Sequence, residues 1–185
     1  MKKLTFAEII ATVPTTGNGQ LQGQKARTKP MYVAGLTTSF PSDGEIISQQ
    51  VLKAVGVTNF PNGNKLNAGT RLLVLGVRMR FDTTTASVTT KIATWVDDAP
   101  VQFKNGEIVV WQSGKGNLVE LPIAQICKTN AALSTEGEYF PVVPFIIEPE
   151  IEFGFRVLPA NATLTTGQAY KFELDCVALS DTDKS

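Results

Sequence analysis

The sequence predicts an all-β fold, a sandwich or barrel of about eight antiparallel strands. Two observations support this prediction. Segments in which apolar and polar residues alternate recur along the chain, and stretches rich in Gly, Pro, Asn and Thr separate them. Helical patterns occur only in the first third of the chain, so the body is expected to consist of strands.

The clearest alternation lies between Phe145 and Val157, where the odd positions are apolar. A period of two is typical of an antiparallel strand with one face on a core and the other in water. Pro149 has no N–H to donate to a neighbouring strand, so it predicts an edge, a bulge or a break between two shorter strands. The wet face would carry Glu148, Glu150, Glu152 and Arg156.

A second long strand is predicted at residues 71–81. Its odd positions would form one apolar face, and Arg78 and Arg80 would lie on the other face, where cross-strand carboxylates, nucleic acid or an acidic neighbour could meet them. Gly76 marks a bulge or a crowded position in this strand. The predicted apolar face consists of Leu73, Leu75, Val77, Met79 and Phe81.

Several further segments are predicted to complete the sheets. The dipeptide Asn105-Gly106 lies between two β-type runs in residues 101–111, which is typical of a hairpin turn. In the last strand, Tyr170, Phe172, Leu174 and Cys176 are expected to point inward. The remaining predicted strands are residues 31–40, 88–96, 117–126 and 169–179.

Two short helices are predicted before the strand-rich body. The first spans Thr5 to Thr12 and begins with a capping box formed by Thr5 and Glu8. Its apolar stripe contains Phe6, Ile9 and Ile10, and a helix this short needs a surface on which to dock. The second spans residues 42–55, where Ser42 and Glu45 have the same capping spacing.

The chain divides into an N-terminal arm, residues 1–30, and a sandwich body, residues 31–185. Residues 13–30 are polar and rich in Gly, Gln and Thr, which is typical of a linker or an extended arm. The arm has five Lys or Arg residues against one Glu, so its net charge is +4 while the whole chain is neutral. The arm cations near the body are Lys25, Arg27 and Lys29; either they contact an acidic partner or they only keep the segment soluble.

The residue types present argue against catalysis, and we expect no enzymatic activity and no cofactor. Histidine is absent, which removes the usual general base and the commonest transition-metal ligand. Cys127 and Cys176 lack the spacing of a zinc or redox motif, so both are expected to be buried free thiols. The simplest interpretation of Glu148, Glu150 and Glu152 is that they lie on the solvated face of a strand. The alternatives are a calcium site or a carboxylate pair. Trp95 and Trp111 are expected to pack at the core or its rim.

The layout resembles the single jelly-roll coat proteins of small icosahedral viruses, especially tailless bacteriophages. The resemblance covers about residues 31–180 and lies in the order of the parts: a short helix, a polar basic arm, and a body that ends with PFIIEPEIEFGFRVLPANATL and QAYKFELDCVAL. It implies a single jelly-roll-like β-sandwich. Coat arms that neutralise a packaged genome usually carry more Arg and Lys than this arm does.

The resemblance also implies a function, that of a capsid subunit which self-assembles into an icosahedral shell within the virion. Its partners would be copies of itself and other virion proteins, with weak contact between the basic arm and the genome or an internal membrane, and no small-molecule substrate. The arm, with Phe6, Ile9 and Ile10, would reach a neighbour or the shell interior. A carbohydrate-binding or adhesive β-sandwich is the alternative, and an exposed Trp95 or Trp111 beside glutamates would favour it.

Overall fold

A computed structural model describes residues 24–84, 89–127, 139–160 and 163–181. Within these residues the chain forms ten strands and two four-residue helices. The strands are β1 (Gln24–Thr28), β2 (Met31–Leu36), β3 (Leu52–Ala54), β4 (Thr58–Asn62), β5 (Thr70–Asp82), β6 (Glu107–Gln112), β7 (Gly116–Pro122), β8 (Phe140–Ile147), β9 (Phe153–Leu158) and β10 (Ala169–Asp181). The helices are α1 (Val101–Lys104) and α2 (Ile123–Ile126).

The strands form two antiparallel sheets that pack as a sandwich, which confirms the predicted all-β class. The large sheet has the order β3-β4-β2-β10-β5-β8, with β1 also paired to β10. The small sheet has the order β7-β6-β9. A short bridge extends the small sheet at Glu45, where Ile46 N donates to Phe155 O at 3.0 Å and Val157 N donates to Gly44 O at 2.9 Å.

The strands pair in a nested order, in which segments near the two ends of the body pair with each other and segments nearer its middle pair inside them. The first strand of the body, β2, pairs with the last, β10; the bridge at Glu45 pairs with β9; β5 pairs with β8; and β6 pairs with β7. This nesting of outer around inner pairs is the arrangement of a jelly roll. The predicted jelly-roll-like sandwich is therefore the observed fold.

Aromatic side chains fill the space between the sheets. Phe60, Phe153 and Phe155 pack together with ring centroids 5.4–5.6 Å apart, and Phe155 also contacts Phe172 at 5.0 Å. All four are buried, as are the inward residues predicted for β10. A second aromatic group contains Phe40, Phe81, Phe103 and Tyr170.

The predicted faces of the long strand β5 are only half right. Val77, Met79 and Phe81 point into the core as expected, but Leu72 and Val74 do so as well, in place of Leu73 and Leu75. The register of β5 shifts against both neighbours near Gly76, and one extra residue in a period-two strand exchanges its faces. Leu73 and Leu75 therefore lie on the outer face of the large sheet.

The alternating stretch around Pro149 is two strands rather than one. Strand β8 belongs to the large sheet and β9 to the small sheet, and Pro149 lies in the connection between them. Of the three alternatives predicted from Pro149, an edge, a bulge or a break, the structure has the break. The three glutamates lie in that connection, residues 148–152, so the expectation that they share one strand face is wrong.

The second predicted helix, residues 42–55, is not formed. Gly44 has φ +75°, and the Asp43 side chain accepts a hydrogen bond from Glu45 N at 3.0 Å, so the chain turns instead. A Cβ atom at Gly44 would lie 2.3 Å from Val157 O, because the chain here pairs closely with β9. Tertiary pairing thus overrides the local capping pattern, and the segment ends in the short edge strand β3.

Two further local predictions are wrong for similar reasons. Residues 90–92 form a 3-10 turn, and only Val96 bridges to Phe81, so no strand runs along residues 89–96, the described part of the predicted 88–96 strand. Asn105-Gly106 ends helix α1 rather than forming a hairpin, since Gly106 N donates to Phe103 O. The hairpin between β6 and β7 turns at Gly114 and Gly116, which have positive φ angles. Strand β7 ends at Pro122, and α2 replaces the rest of the predicted 117–126 strand.

The predicted N-terminal helix, with Phe6, Ile9 and Ile10, lies outside the described residues. The last part of the predicted arm is visible as β1, which pairs with β10 from Gln24 opposite Asp181 to Thr28 opposite Val177. Lys29 continues this attachment, because Lys29 N donates to Cys176 O at 3.0 Å. Residues 24–29 are thus tied to the body.

Candidate assembly surfaces

One edge of the large sheet is the short strand β3, whose three residues are all exposed. Leu52 is 72% exposed, and Val55 in the following turn is 83% exposed. Gly56 brings this turn close to Lys91, since a Cβ at Gly56 would lie 2.9 Å from Lys91 Cγ. The next residue, Ile92, is 66% exposed, so this edge presents large apolar side chains to solvent.

The opposite edge of the large sheet is β8, which pairs with β5 alone among the described strands. Val143 in the middle of β8 is 79% exposed. Pro141 and Pro144 lack N–H groups, so the edge cannot readily accept another strand by continuous backbone hydrogen bonding. A partner at this edge would bind through side chains instead.

Charged residues form a network on the outer face of the large sheet. Arg78 Nε donates to Glu173 Oε2 at 2.7 Å, and Lys171 Nζ lies 2.6 Å from Glu173 Oε1. Arg78 also lies over the Tyr139 ring, 4.5 Å from its centroid, and Lys171 lies 4.7 Å from the centroid of Tyr32. Burial, with the charge of Glu173, raises the pKa of Tyr139. These residues satisfy one another, which makes the network a structural feature of the sheet.

The second arginine of β5 is also paired. Arg80 Nε donates to Asp97 Oδ1 at 3.0 Å, and Arg80 Nη2 donates to Trp95 O at 3.1 Å. The predicted cross-strand carboxylate is therefore the partner of Arg78, whereas Arg80 pairs with a carboxylate of the loop that follows Val96. Trp95 is half-buried beside this pair, 5.8 Å from Lys171 Nζ, and has its predicted place at the rim.

The outer face of the small sheet has a second compact group. Trp111 Nε1 donates to Glu45 Oε1 at 2.8 Å, and Arg156 Nε donates to the same oxygen at 2.9 Å. The indole lies against Gly154, where a Cβ would be 2.4 Å from Trp111 Nε1. The other oxygen, Glu45 Oε2, is buried without a hydrogen-bond partner. No sequence pattern predicts that these residues meet, because they come from three distant segments.

The three glutamates of the 148–152 connection have separate surroundings. Glu148 Oε2 lies 2.9 Å from Arg71 Nε, and Glu148 Oε1 lies 3.4 Å from Lys115 Nζ. Glu152 lies 3.5 Å from Lys65 Nζ, whereas Glu150 has φ +60° and its N donates to Leu66 O. The salt bridges of Glu148 and Glu152 occupy those carboxylates.

An open cleft of about 450 Å³ lies beside Glu150. Half of its lining residues have amide side chains, and no aromatic ring contributes to it. Asn64 Oδ1 is buried here without a hydrogen-bond partner. Among the described residues, no group of three or more carboxylates or thiols is placed to bind a metal ion. The lining residues are Gln49, Asn62, Asn64, Lys65, Leu66, Asn67, Ala68 and Glu150.

The cations predicted as part of an assembly arm differ in their surroundings. Arg27 is exposed on β1, whereas Lys29 is half-buried and lines a small cavity together with Met31 and Leu72. Burial, with the nearby charge of Arg27, lowers the pKa of Lys29. The backbone of Lys25 pairs with Ser180. Of Arg27 and Lys29, Arg27 is therefore the better placed to meet an acidic partner.

Both cysteines are buried free thiols, as predicted. Cys176 Sγ donates to Lys29 O at 2.9 Å, and Cys127 Sγ donates to Met79 O at 3.4 Å. Burial raises the pKa of Cys176 to about 12 and also raises that of Cys127. Neither thiol is therefore suited to act as a nucleophile at neutral pH.

Helices in the described part of the chain are too short to span a membrane. Comparison of the sequence with protein-family models and with curated proteins found no match.

Proposed function

We propose that the chain is a structural virion protein, a coat subunit that self-assembles into an icosahedral shell. The observation that carries this proposal is the exposure of large apolar side chains at both edges of one sheet. Leu52 and Val55 lie at the β3 edge, and Val143 lies at the β8 edge. Exposed apolar side chains at a sheet edge are typical of surfaces that contact other proteins.

Two different edges on opposite sides of a subunit suit contacts between copies. When the β3 edge of one copy meets the β8 edge of the next, the contact is head-to-tail, and repeated head-to-tail contacts close into rings if the rotation allows it. Rings of this kind are the units from which a closed shell is built. The prolines of β8 favour side-chain contacts there, so the shell would not depend on adding strands to the sheet.

The fold is consistent with this role, because jelly rolls occur in viral coat proteins. They also occur in lectin domains, so the fold by itself is an analogy and the edges carry the argument. In the proposed shell the partners are other copies of the chain and further virion proteins. Exposed Arg27 would make weak contact with the genome or an internal membrane.

The direct test is the mass of the purified full-length chain in solution, measured by light scattering, with negative-stain microscopy of the same sample. Closed particles, or discrete trimers, pentamers or hexamers, are the expected result. A monomer of about 20 kDa at every salt and protein concentration would contradict self-assembly.

Edge variants test which surface is used. Val143→Asp and the double variant Leu52→Asp with Val55→Asp are each expected to leave monomers or small oligomers, because a buried unpaired carboxylate opposes the contact. The matched control is Val101→Asp, since Val101 is 72% exposed and lies on α1, which belongs to neither edge strand. Assembly by the edge variants at the level of the control would refute the proposed contact.

A carbohydrate-binding or adhesive module is the second candidate. The observation in its favour is Trp111, which lies half-buried on the outer face of the small sheet with Glu45 and Arg156 beside it. Aromatic rings flanked by carboxylates are suited to stack on sugars and bind their hydroxyls. A glycan array, followed by tryptophan fluorescence with any sugar that binds, tests this candidate. Quenching or protection that is lost in Trp111→Ala would favour it over the shell.

A further inference from the structure

Leu73 and Leu179 form a small apolar cluster on the outer face of the large sheet. Both are separate from the core between the sheets, and the apolar residues packed against them are Leu75, Ile146 and Val177. Val177 pairs with Leu73, and Leu73 pairs with Ile146, so these three side chains form one row across β10, β5 and β8. We refer to these five residues as the outer cluster.

The burial of this cluster requires a cover. Leu73 and Leu179 are each 0% exposed, although they lie on the side of the sheet that faces away from the sandwich. Neighbours on the same flat face can shield the flanks of a side chain but not its end. The described apolar residues that pack against the pair all belong to the same sheet. A further part of the chain lying across this face would cover the ends of these side chains.

The segment that enters the sheet beside the cluster is the N-terminal one. Strand β1 places Ala26 opposite Leu179 and Thr28 opposite Val177, and Gln24 lies at the end of the sheet opposite Asp181. The 14 residues from Ile10 to Gln24 can span up to about 46 Å. Reaching the outer cluster from Gln24 needs only about 15–20 Å, given the strand spacing and rise.

The composition of the N-terminal segment also suits it to cover an apolar surface. Residues 1–23 contain the apolar stripe Phe6, Ile9 and Ile10, and three glycines between residues 17 and 23 allow the chain to turn back. The C-terminal residues 182–185, TDKS, leave the sheet at the same end but contain no apolar side chain. Residues 128–138 enter near Gly76 and contain one leucine.

We propose that residues 1–23 of each chain dock on the outer cluster of their own body through Phe6, Ile9 and Ile10. The contact buries an apolar stripe that would be unstable as an isolated helix, and it covers Leu73 and Leu179. It makes the N-terminal segment a third layer of the sandwich. This inference does not depend on the proposed shell, because it concerns one chain alone.

Thiol labelling of Val177→Cys in the full-length chain tests the docking. The native thiols give little background, because burial raises their pKa values and few thiolates form at neutral pH. The introduced thiol is expected to label at least about tenfold more slowly than Val101→Cys, whose site is 72% exposed and belongs to neither proposed contact edge. The triple variant Phe6→Asp, Ile9→Asp and Ile10→Asp should abolish that protection.

The matched control adds the same three charges to polar positions of the segment, Thr12→Asp, Thr15→Asp and Thr16→Asp, and should keep the protection.

A second measurement leaves the stripe nearly intact: Ile9→Cys with Val177→Cys should form a disulfide within one chain, seen on a non-reducing gel. That measurement keeps the test valid if the triple variant does not fold.

The outcomes separate the possible covers. Protection that is independent of protein concentration, together with an intrachain disulfide, supports the proposal. Protection that disappears on dilution, or a disulfide between chains, means that a neighbour's segment covers the cluster and overturns it. Fast labelling of Val177→Cys in the unaltered arm, or protection that persists in a folded triple variant, also overturns it.

Discussion

Arg78 and Glu173 form an ion pair on the outer face of the large sheet with little solvent around it. Their side chains are only 11% and 8% exposed, and both Nε and Nη2 of the guanidinium contact Glu173 Oε2. Strands β5 and β10 pair these residues directly, so the salt bridge is a cross-strand contact. Lys171 and the Tyr139 ring complete its surroundings. The pair is therefore fixed by the sheet register.

Removing one partner of this pair should be costly. Arg78→Met leaves the Glu173 carboxylate partly buried with only Lys171 as a partner, and we expect a loss of about 2–3 kcal/mol in the free energy of unfolding. The double variant Arg78→Met with Glu173→Leu should recover most of that loss, since no buried charge of the pair remains. Urea unfolding followed by circular dichroism measures both.

The exposed pair Lys65–Glu152 is the control for this prediction. Its side chains are 44% and 38% exposed, so solvent screens the attraction. Lys65→Met should cost less than about 1 kcal/mol. Equal losses for Lys65→Met and Arg78→Met would show that burial does not govern the strength of these ion pairs.

Gly154→Ala should disturb the group on the outer face of the small sheet. The added methyl would lie 2.4 Å from Trp111 Nε1 and 2.6 Å from Glu45 Oε2, so the indole must move. We expect a loss of about 1–3 kcal/mol and a shift in tryptophan emission. The double variant Gly154→Ala with Trp111→Leu should lose less stability than the sum of the two single changes, because the clash is absent. Additive losses would argue against the contact.

The sandwich was predictable because the alternation of apolar and polar residues, and the turn residues between alternating segments, are local patterns. A strand with one buried face requires such alternation wherever it pairs. The break at Pro149 was predictable for the same reason, since proline cannot donate a hydrogen bond wherever it lies. The exchange of faces in β5 was not, because a bulge depends on the register with two partner strands. The Glu45–Trp111–Arg156 group was also hidden, since the bridge that brings Glu45 to β9 forms only in the folded sandwich.

Alkaline pH should weaken the fold through Cys176. Burial raises its pKa to about 12 in the folded chain, whereas the unfolded thiol has its ordinary value of 9.0. The contribution of the buried, protonated Cys176 thiol to the free energy of unfolding is complete below pH 9. This contribution is lost as the pH rises towards 12, because only the thiol of the unfolded chain ionises in that range. One thiol contributes a slope of about 1.4 kcal/mol per pH unit there.

The Cys176→Ser variant isolates this contribution, because a serine hydroxyl can still donate to Lys29 O but does not ionise in this range. The free energy of unfolding, measured by urea titration between pH 8 and about 11, should fall less steeply in the variant than in the parent chain. Identical slopes would mean that Cys176 ionises equally in both states.

Two truncations separate the role of the N-terminal segment in assembly from that of β1 in folding. Removing residues 1–23 leaves the five β1 pairings with β10, so the body should fold, but the particles seen by light scattering should diminish because the arm is missing. Removing residues 1–30 also deletes β1 and Lys29 O, the acceptor of the Cys176 thiol. This larger truncation should lower the free energy of unfolding by about a further 3 kcal/mol. Normal particles from the chain lacking residues 1–30 would show that the arm has no part in assembly, whereas equal stability of the two truncated chains would show that β1 adds nothing to the fold.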